Sequence, residues 1–242
     1  MAEEYQYADL AKMIDHSLLH PTMTTDEMEA GIDLAVAYDV ASVCIMPSYL
    51  ARLSERLSGT GVRSSTVIGF PLGVHTTDAK IAEAEDALRY GAEELDVVCN
   101  VSRVLSGDWS YVHDDLAALI ELTHAQSQKI KVIFENCYLE DDHKIRLCKI
   151  CTELGADWVK TSTGFGTGGA TMEDLRLMRQ HAGDDIQVKA AGGIRDLDSL
   201  IEAKEIGASR CGTSKAASLL DPLRERLGLE PIDMKAVSKG DY

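Results

Sequence analysis

Residues 155–160 read GADWVK, and the same arrangement recurs as GAEELD at residues 91–96 and as GASRCG at residues 207–212. In each segment a glycine follows a helical pattern, which it is suited to end, and a run typical of a β-strand begins directly afterwards. This recurrence indicates that the chain is built from units of one helix followed by one strand.

The remainder of the chain shows the same alternation of short β-branched runs with longer helical segments rich in Ala, Glu and Leu. We predict strands at Lys12–His16, Ala41–Met46, Ser65–Phe70, Glu94–Cys99, Ile130–Glu135, Trp158–Ser162, Gln187–Ala191 and Arg210–Thr213. We predict helices at Met28–Ala37, Asp78–Tyr90, Tyr111–Gln126, Glu140–Leu154, Thr171–His181 and Leu197–Ile206.

Successive strand–helix units require parallel strands joined by helical crossovers. Open doubly wound sheets have about five or six strands, whereas eight strands close into a (β/α)8 barrel of roughly 250 residues. We therefore predict an α/β protein with a single (β/α)8 TIM barrel domain over residues 1–242, and keep the doubly wound sheet as the alternative. Residues 1–11 are predicted to form a helix over one barrel end, and residues 217–242 a C-terminal helix and polar tail.

The composition limits the classes of partner. The chain contains 24 Lys and Arg against 40 Asp and Glu, so its formal net charge is −16, and no basic run offsets this charge. Nucleic acid and anionic membranes are therefore not expected as partners. No apolar stretch reaches the roughly 20 residues of a membrane span, and residues 1–6 (MAEEYQ) show no signal-peptide pattern. We expect a cytoplasmic protein.

The cysteines do not indicate a metal site. Six cysteines in a chain of this length are too few for a disulfide framework. Cys148 and Cys151 form a C-x-x-C pair, but their neighbours have a helical period, and no second pair or histidine cluster follows at zinc spacing. We expect no metal.

Charged residues occur inside runs that should be buried on both faces of a parallel sheet. With a period of two, the charged side chains Asp96, Lys131, Glu135, Lys160 and Lys189 all fall on the inward face of their strands. An unpaired buried charge costs several kcal/mol, so these residues should lie together near the C-terminal mouth, where barrel enzymes have their active sites. A purely structural ion-pair network is the alternative.

Glycine-rich segments follow the last three predicted strands, at residues 161–169 (TSTGFGTGG), 190–195 (AAGGIR) and 212–215 (GTSK). Loops at these positions of a barrel commonly bind phosphate through backbone N–H groups and a helix N-terminus. Glycine is also common in ordinary turns. Three glycine clusters at the ends of neighbouring strands nevertheless indicate that the ligand is a phosphate monoester. The predicted contacts are Thr161, Gly164, Gly192, Gly193, Arg195, Gly212, Thr213 and Ser214. The role of Lys215 stays open.

Two inward lysines beside a phosphate site suggest covalent carbonyl chemistry. A neutral lysine amine can attack a carbonyl and form an iminium, which withdraws electrons from the adjacent C–C bond. Free lysine has a pKa near 10.4, so the nucleophile needs burial and a neighbouring cation to stay neutral. Lys160 and Lys189, on neighbouring strands, provide that pair. Asp96 can transfer protons between the intermediates.

Eight segments together resemble the deoxyribose-phosphate aldolases over about residues 10–216. They are MIDHSLLHP, ASVCIMPSYL, VIGFPLG, GAEELDVVCN, KVIFENC, GADWVKTSTGFGTGGAT, VKAAGGIR and GASRCGTS. The resemblance implies a class I Schiff-base aldolase with a (β/α)8 fold. It also implies reversible cleavage of 2-deoxy-D-ribose 5-phosphate to D-glyceraldehyde 3-phosphate and acetaldehyde, without metal or cofactor.

By position, the resemblance assigns the Schiff-base lysine to Lys160 in VKTSTGF and the second lysine to Lys189 in VKAAGGIR. The proton-relay aspartate is Asp96 in ELDVV. A separate group matches family positions that line the pocket in a supporting role, namely Asp15, Cys44 and Lys131.

Other interpretations stay open at this stage. The chain could be a related lysine aldolase that acts on another sugar phosphate, or a phosphate-ligand-binding barrel without catalysis. The expected partners are a small-molecule sugar phosphate and aldehydes. Barrels of this kind often pair through helix faces, but no apolar surface stripe is decisive, so a homodimer is left open.

Overall fold

The structure is a computed structural model that describes residues 5–234. Its strands are β1 (Ile14–Leu18), β2 (Ser42–Ile45), β3 (Arg63–Ile68), β4 (Glu94–Val98), β5 (Lys129–Ile133), β6 (Trp158–Lys160), β7 (Gln187–Ala191) and β8 (Ala208–Thr213). They form a closed parallel barrel in chain order, in which β8 pairs with β1. The prediction of a TIM barrel is confirmed, and the open doubly wound sheet is wrong.

Helices surround the barrel. Those of the described residues are α1 (Tyr7–Ala11), α2 (Thr25–Ala37), α3 (Leu50–Leu57), α4 (Thr77–Arg89), α5 (Val101–Leu105), α6 (Trp109–Ala125), α7 (Asp141–Leu154), α8 (Met172–His181), α9 (Leu197–Ile206) and α10 (Ala216–Arg226). The sequence analysis did not predict α3 and α5, which have only eight and five residues. No helix within residues 5–234 is both long and apolar enough to cross a membrane.

The two ends of the chain are described only in part. The helix predicted over residues 1–11 is observed as α1, which packs against α10. Of the segment predicted over residues 217–242, α10 accounts for the residues up to Arg226. Residues 1–4 and 235–242, with Asp241 and Tyr242 of the predicted tail, lie outside the described residues.

The register of the strands determines which side chains point into the barrel. Asp96 of β4 pairs with Lys131 of β5, and Lys160 of β6 pairs with Lys189 of β7. These residues share the inner face, since side chains alternate between the two faces of a sheet. Each has a buried valine as a neighbour on the outer face, and these are Val97, Val132, Val159 and Val188. The polar site therefore lies inside a sheet whose outer face packs on an aliphatic core.

His16 of β1 should make the stability of the fold depend on pH. Burial lowers the pKa of His16 to about 4, whereas an unfolded chain has a histidine pKa of about 6.5. The unfolded chain therefore binds this proton first as the pH falls, and stability decreases between these two values. We expect the wild type to lose about 2 kcal/mol of unfolding free energy from this group between pH 7 and pH 5.

Urea unfolding of the wild type and of His16→Gln at both pH values measures this effect. The variant should lose less stability than the wild type by about that amount. Equal losses in the two proteins would show that the imidazole of His16 is not the group responsible.

Candidate active site

Three lysines converge on one carboxylate inside the barrel. Asp96 Oδ2 accepts hydrogen bonds from Lys160 Nζ at 2.6 Å and from Lys189 Nζ at 2.8 Å, and its Oδ1 accepts one from Lys131 Nζ at 2.9 Å. All four side chains are at most 4% exposed. The structure therefore brings together four of the five inward charges that the strand pattern predicted.

Glu135 was also expected in this group, and that expectation is wrong. β5 ends at Ile133, and Glu135 has a left-handed backbone conformation with φ of 60°. Its carboxylate accepts hydrogen bonds from the backbone N–H and the hydroxyl of Thr163. Because Glu135 lies beyond the end of the strand, the alternation along β5 no longer sets its direction.

A second set of ion pairs lies beside the first. Asp15 contacts Lys189 Nζ at 2.5 Å and also receives a hydrogen bond from Arg210. Glu94 lies 2.5 Å from Lys131 Nζ and 3.0 Å from an Arg210 guanidinium nitrogen. The sequence analysis missed Arg210, although its register with Lys189 places it on the inner face.

The two catalytic candidates differ in their protonation. Burial is the largest influence on Lys160 and lowers its pKa, and the positive charge of Lys189 adds to this shift while Asp96 opposes it. Burial also disfavours the charged form of Lys189, but the carboxylates of Asp15 and Asp96 outweigh burial and raise its pKa. Lys160 is therefore the more readily neutralised amine, and Lys189 is a persistent cation beside it.

The supporting residues keep fixed charge states. Asp15 and Asp96 are fully buried, yet the neighbouring cations hold the pKa of each carboxyl below its usual range. Around Lys131, burial favours the neutral amine, but Asp96, Glu94 and Asp15 raise its pKa. Burial raises the pKa of Cys44 to about 11, so this side chain is a neutral thiol at pH 7.

A cavity of about 590 Å³ opens above Lys160 at the carboxyl ends of the strands. Six of the predicted phosphate contacts line it, and these are Gly164, Gly192, Arg195, Gly212, Thr213 and Ser214. Lys215 lies among the lining residues as well. Lys160 and Arg195 therefore line the same cavity, and the cavity is large enough for a small phosphorylated sugar.

Two predicted phosphate contacts do not line this cavity. Thr161 follows β6 directly and is buried, and its hydroxyl accepts a hydrogen bond from the N–H of Ala191 and donates one to the C=O of the same residue. Gly193 lies against the preceding loop, and a Cβ on it would approach Ala170 O to 2.3 Å. The hydrogen bonds of Thr161 link the end of β6 to β7. The absence of a side chain on Gly193 permits its loop to pack against the backbone of the preceding loop.

Within residues 5–234, no group of three or more His, Cys, Asp or Glu side chains is arranged to hold a metal ion. The carboxylates of the site are instead engaged by lysine and arginine. The cavity offers an amine nucleophile with neighbouring proton donors and acceptors.

A protein-family model described as DeoC/LacD family aldolase matches residues 10–217. The chain belongs to the DeoC/LacD family of aldolases. Its similarity to individual members extends over nearly the whole length. The deoxyribose-phosphate aldolase of Rhodopirellula baltica is 62% identical over 239 residues, covering 99% of each chain. That of Thermococcus gammatolerans is 44% identical over 218 residues, which cover 89% of this chain and 97% of the relative.

Solved structures agree with this assignment. The deoxyribose phosphate aldolase of Aeropyrum pernix, which is described as having a unique tetrameric structure, matches this DeoC/LacD aldolase with a TM-score of 0.84 at 32% identity. The match covers 91% of this chain and 93% of that one. The resemblance inferred from the sequence motifs is confirmed, and this protein is an aldolase.

Proposed function

We propose that this aldolase reversibly cleaves 2-deoxy-D-ribose 5-phosphate to D-glyceraldehyde 3-phosphate and acetaldehyde, through a Schiff base on Lys160, in the catabolism of deoxyribonucleosides. The observation that carries the proposal is the position of Lys160 at the base of the cavity, within 2.6 Å of Asp96 and beside the cationic Lys189. The names of the similar enzymes support the choice of substrate.

The reaction begins at the aldehyde carbon C1 of the open-chain sugar. The neutral amine of Lys160 adds to C1 to give a carbinolamine, and loss of water gives an iminium. A base then removes the proton of the C3 hydroxyl, and the C2–C3 bond breaks. Its electron pair forms the enamine at C1 and C2, and glyceraldehyde 3-phosphate departs. Protonation at C2 and addition of water release acetaldehyde and regenerate the amine.

Asp96 and Lys189 are suited to move the protons in this sequence. Asp96 Oδ2 lies within hydrogen-bond distance of both lysine nitrogens, so a proton can pass between them through one carboxylate. The raised pKa of Lys189 keeps it a donor at neutral pH. We assign Lys160 as nucleophile, with Asp96 and Lys189 as the proton relay, and Asp15, Cys44 and Lys131 as the supporting residues.

The end of β8 and the loops that follow β6, β7 and β8 carry the candidate phosphate-binding residues. Arg195, Thr213, Ser214, Gly192 and Gly212 line the same cavity as Lys160. We propose that these groups bind the 5-phosphate, since a guanidinium and backbone N–H groups are effective phosphate donors.

Trapping with a reductant tests the covalent step. Incubation of the protein with acetaldehyde and sodium borohydride should leave one ethyl group on Lys160, because the hydride reduces the iminium to a stable secondary amine. Peptide mass spectrometry locates the modified residue. An adduct on a different lysine, or none, would contradict the assignment of Lys160 as the nucleophile.

Two other candidate functions are separated by a comparison of substrates. Turnover of deoxyribose 5-phosphate well above that of ketose phosphates would support the proposal, and the reverse order would identify a related lysine aldolase with another substrate. A barrel that only binds its ligand would retain phosphate esters without forming any product.

A further inference from the structure

The ion cluster inside the barrel has unequal numbers of acids and bases. Among the described residues, its acids are Asp15, Glu94 and Asp96, and its bases are Lys131, Lys160, Lys189 and Arg210. No member is more than 11% exposed. With every group charged, the cluster would carry one uncompensated positive charge in a region from which water is largely excluded. A net charge in such a place is costly.

The contacts identify the base that can give up its proton at the lowest cost. Lys131 lies within 4 Å of all three carboxylates. Lys189 contacts Asp15 and Asp96, and Arg210 contacts Asp15 and Glu94. Lys160 has one carboxylate partner in the cluster, Asp96, and shares the same oxygen with Lys189. Loss of the proton from Lys160 therefore breaks the fewest ion pairs, and it leaves the cluster with three positive and three negative charges.

We propose that Arg210 and Glu94, which lie outside the reacting pair, are positioning residues that set the charge of Lys160 through the charge balance of the cluster, with Arg210 favouring the neutral amine and Glu94 opposing it. The proposal rests on the Schiff-base function assigned to Lys160 above. With Arg210, the cluster has three cations besides Lys160, and these already balance the three carboxylates. Glu94 limits this effect, since its carboxylate compensates part of the positive charge.

Other polar groups face the cluster from the remaining strands. Arg63 of β3 lies 3.9 Å from Glu94, but its side chain is 51% exposed and therefore well screened. Cys44 of β2 is a neutral thiol. Neither group alters the count of three acids and four bases.

Single substitutions at the two positions should shift the pH dependence in opposite directions. Arg210→Met removes a cation, so the cluster is neutral when Lys160 carries a proton. The low-pH side of the pH–rate profile for adduct formation (its acidic limb) should therefore move to higher pH by about one unit. Glu94→Gln removes an anion, so protonation of Lys160 becomes less favourable, and the acidic limb should move to lower pH. The measurement is the rate at which acetaldehyde and cyanoborohydride modify Lys160 as a function of pH.

Two further variants serve as matched controls. The double variant Arg210→Met with Glu94→Gln removes one charge of each sign and should return the acidic limb to the position of the wild type. Arg210→Lys preserves the charge and should keep that position even if the rate falls. Thermal denaturation of each variant shows whether it is folded. If Arg210→Met does not fold, Glu94→Gln alone still tests the direction of the shift.

The possible results separate this inference from the proposed function. Opposite shifts that cancel in the double variant would support the assignment of Arg210 and Glu94. If the acidic limbs of the variants are unchanged or shift in the same direction, the assignment of Arg210 and Glu94 is wrong. The adduct trapped on Lys160 of the wild type would still support the Schiff base. Absence of an adduct in the wild type would instead overturn the proposed function.

Discussion

Lys160→Leu should abolish turnover of deoxyribose 5-phosphate and leave the barrel folded. The variant lacks the amine that forms the iminium, so we expect a loss of about 10⁴-fold or more in kcat. The fold should survive because Asp96 keeps two cationic partners, Lys131 and Lys189. The remaining cluster then has three acids and three bases, so no charge is left uncompensated.

A coupled assay that detects glyceraldehyde 3-phosphate measures this loss, and circular dichroism verifies the fold. Lys129→Leu provides the control, because Lys129 lies at the start of β5 with a half-exposed side chain paired to Asp157. That variant should retain its activity. Substantial turnover by a folded Lys160→Leu enzyme would exclude Lys160 as the nucleophile.

Lys189→Leu should be inactive at neutral pH for a different reason. Without the charge of Lys189, the cluster is neutral only when Lys160 carries a proton, so the pKa of Lys160 rises and the free amine becomes scarce. The relay between Asp96 and Lys189 is lost as well. General acid–base groups contribute about 10²–10⁴-fold, and we expect a loss of at least this size at pH 7.

The two causes can be distinguished through the pH dependence. The rate of adduct formation by Lys189→Leu should increase as the pH is raised, because deprotonation of Lys160 restores the nucleophile. Lys160→Leu should show no such recovery. A flat profile for Lys189→Leu, with Lys160 already reactive at pH 7, would mean that Lys189 does not control the charge of its neighbour.

Much of this architecture could be predicted from local patterns. Repeated units of a helix, a glycine and a strand indicated parallel strands, and the period of two placed Asp96, Lys131, Lys160 and Lys189 on one side of the sheet. These inferences succeeded because alternation along a strand depends on the backbone alone. The structure was needed to show that all three lysines contact the same carboxylate.

The failures occurred at the ends of predicted strands and in the loops that follow them. Arg210 was the first residue of its predicted strand, whereas β8 begins at Ala208, so its partners across the barrel could not be anticipated. Glu135 lies past the end of β5, and its carboxylate accepts hydrogen bonds from Thr163. Thr161 was grouped with the glycine-rich loop, although its spacing from Lys160 already indicated the outer face. Loop direction and contacts across the barrel depend on tertiary structure.

The pairing of β8 with β1 has a consequence for synthesis of the protein on the ribosome. Asp15 and Arg210, which form an ion pair in the finished barrel, are separated by 195 residues. A nascent chain that lacks β8 leaves Asp15 and Glu94 without their arginine and the sheet with two open edges. Such a fragment gains little from ordering its interior early, so we expect the charged centre to assemble in a late, cooperative event once the last strand has left the exit tunnel.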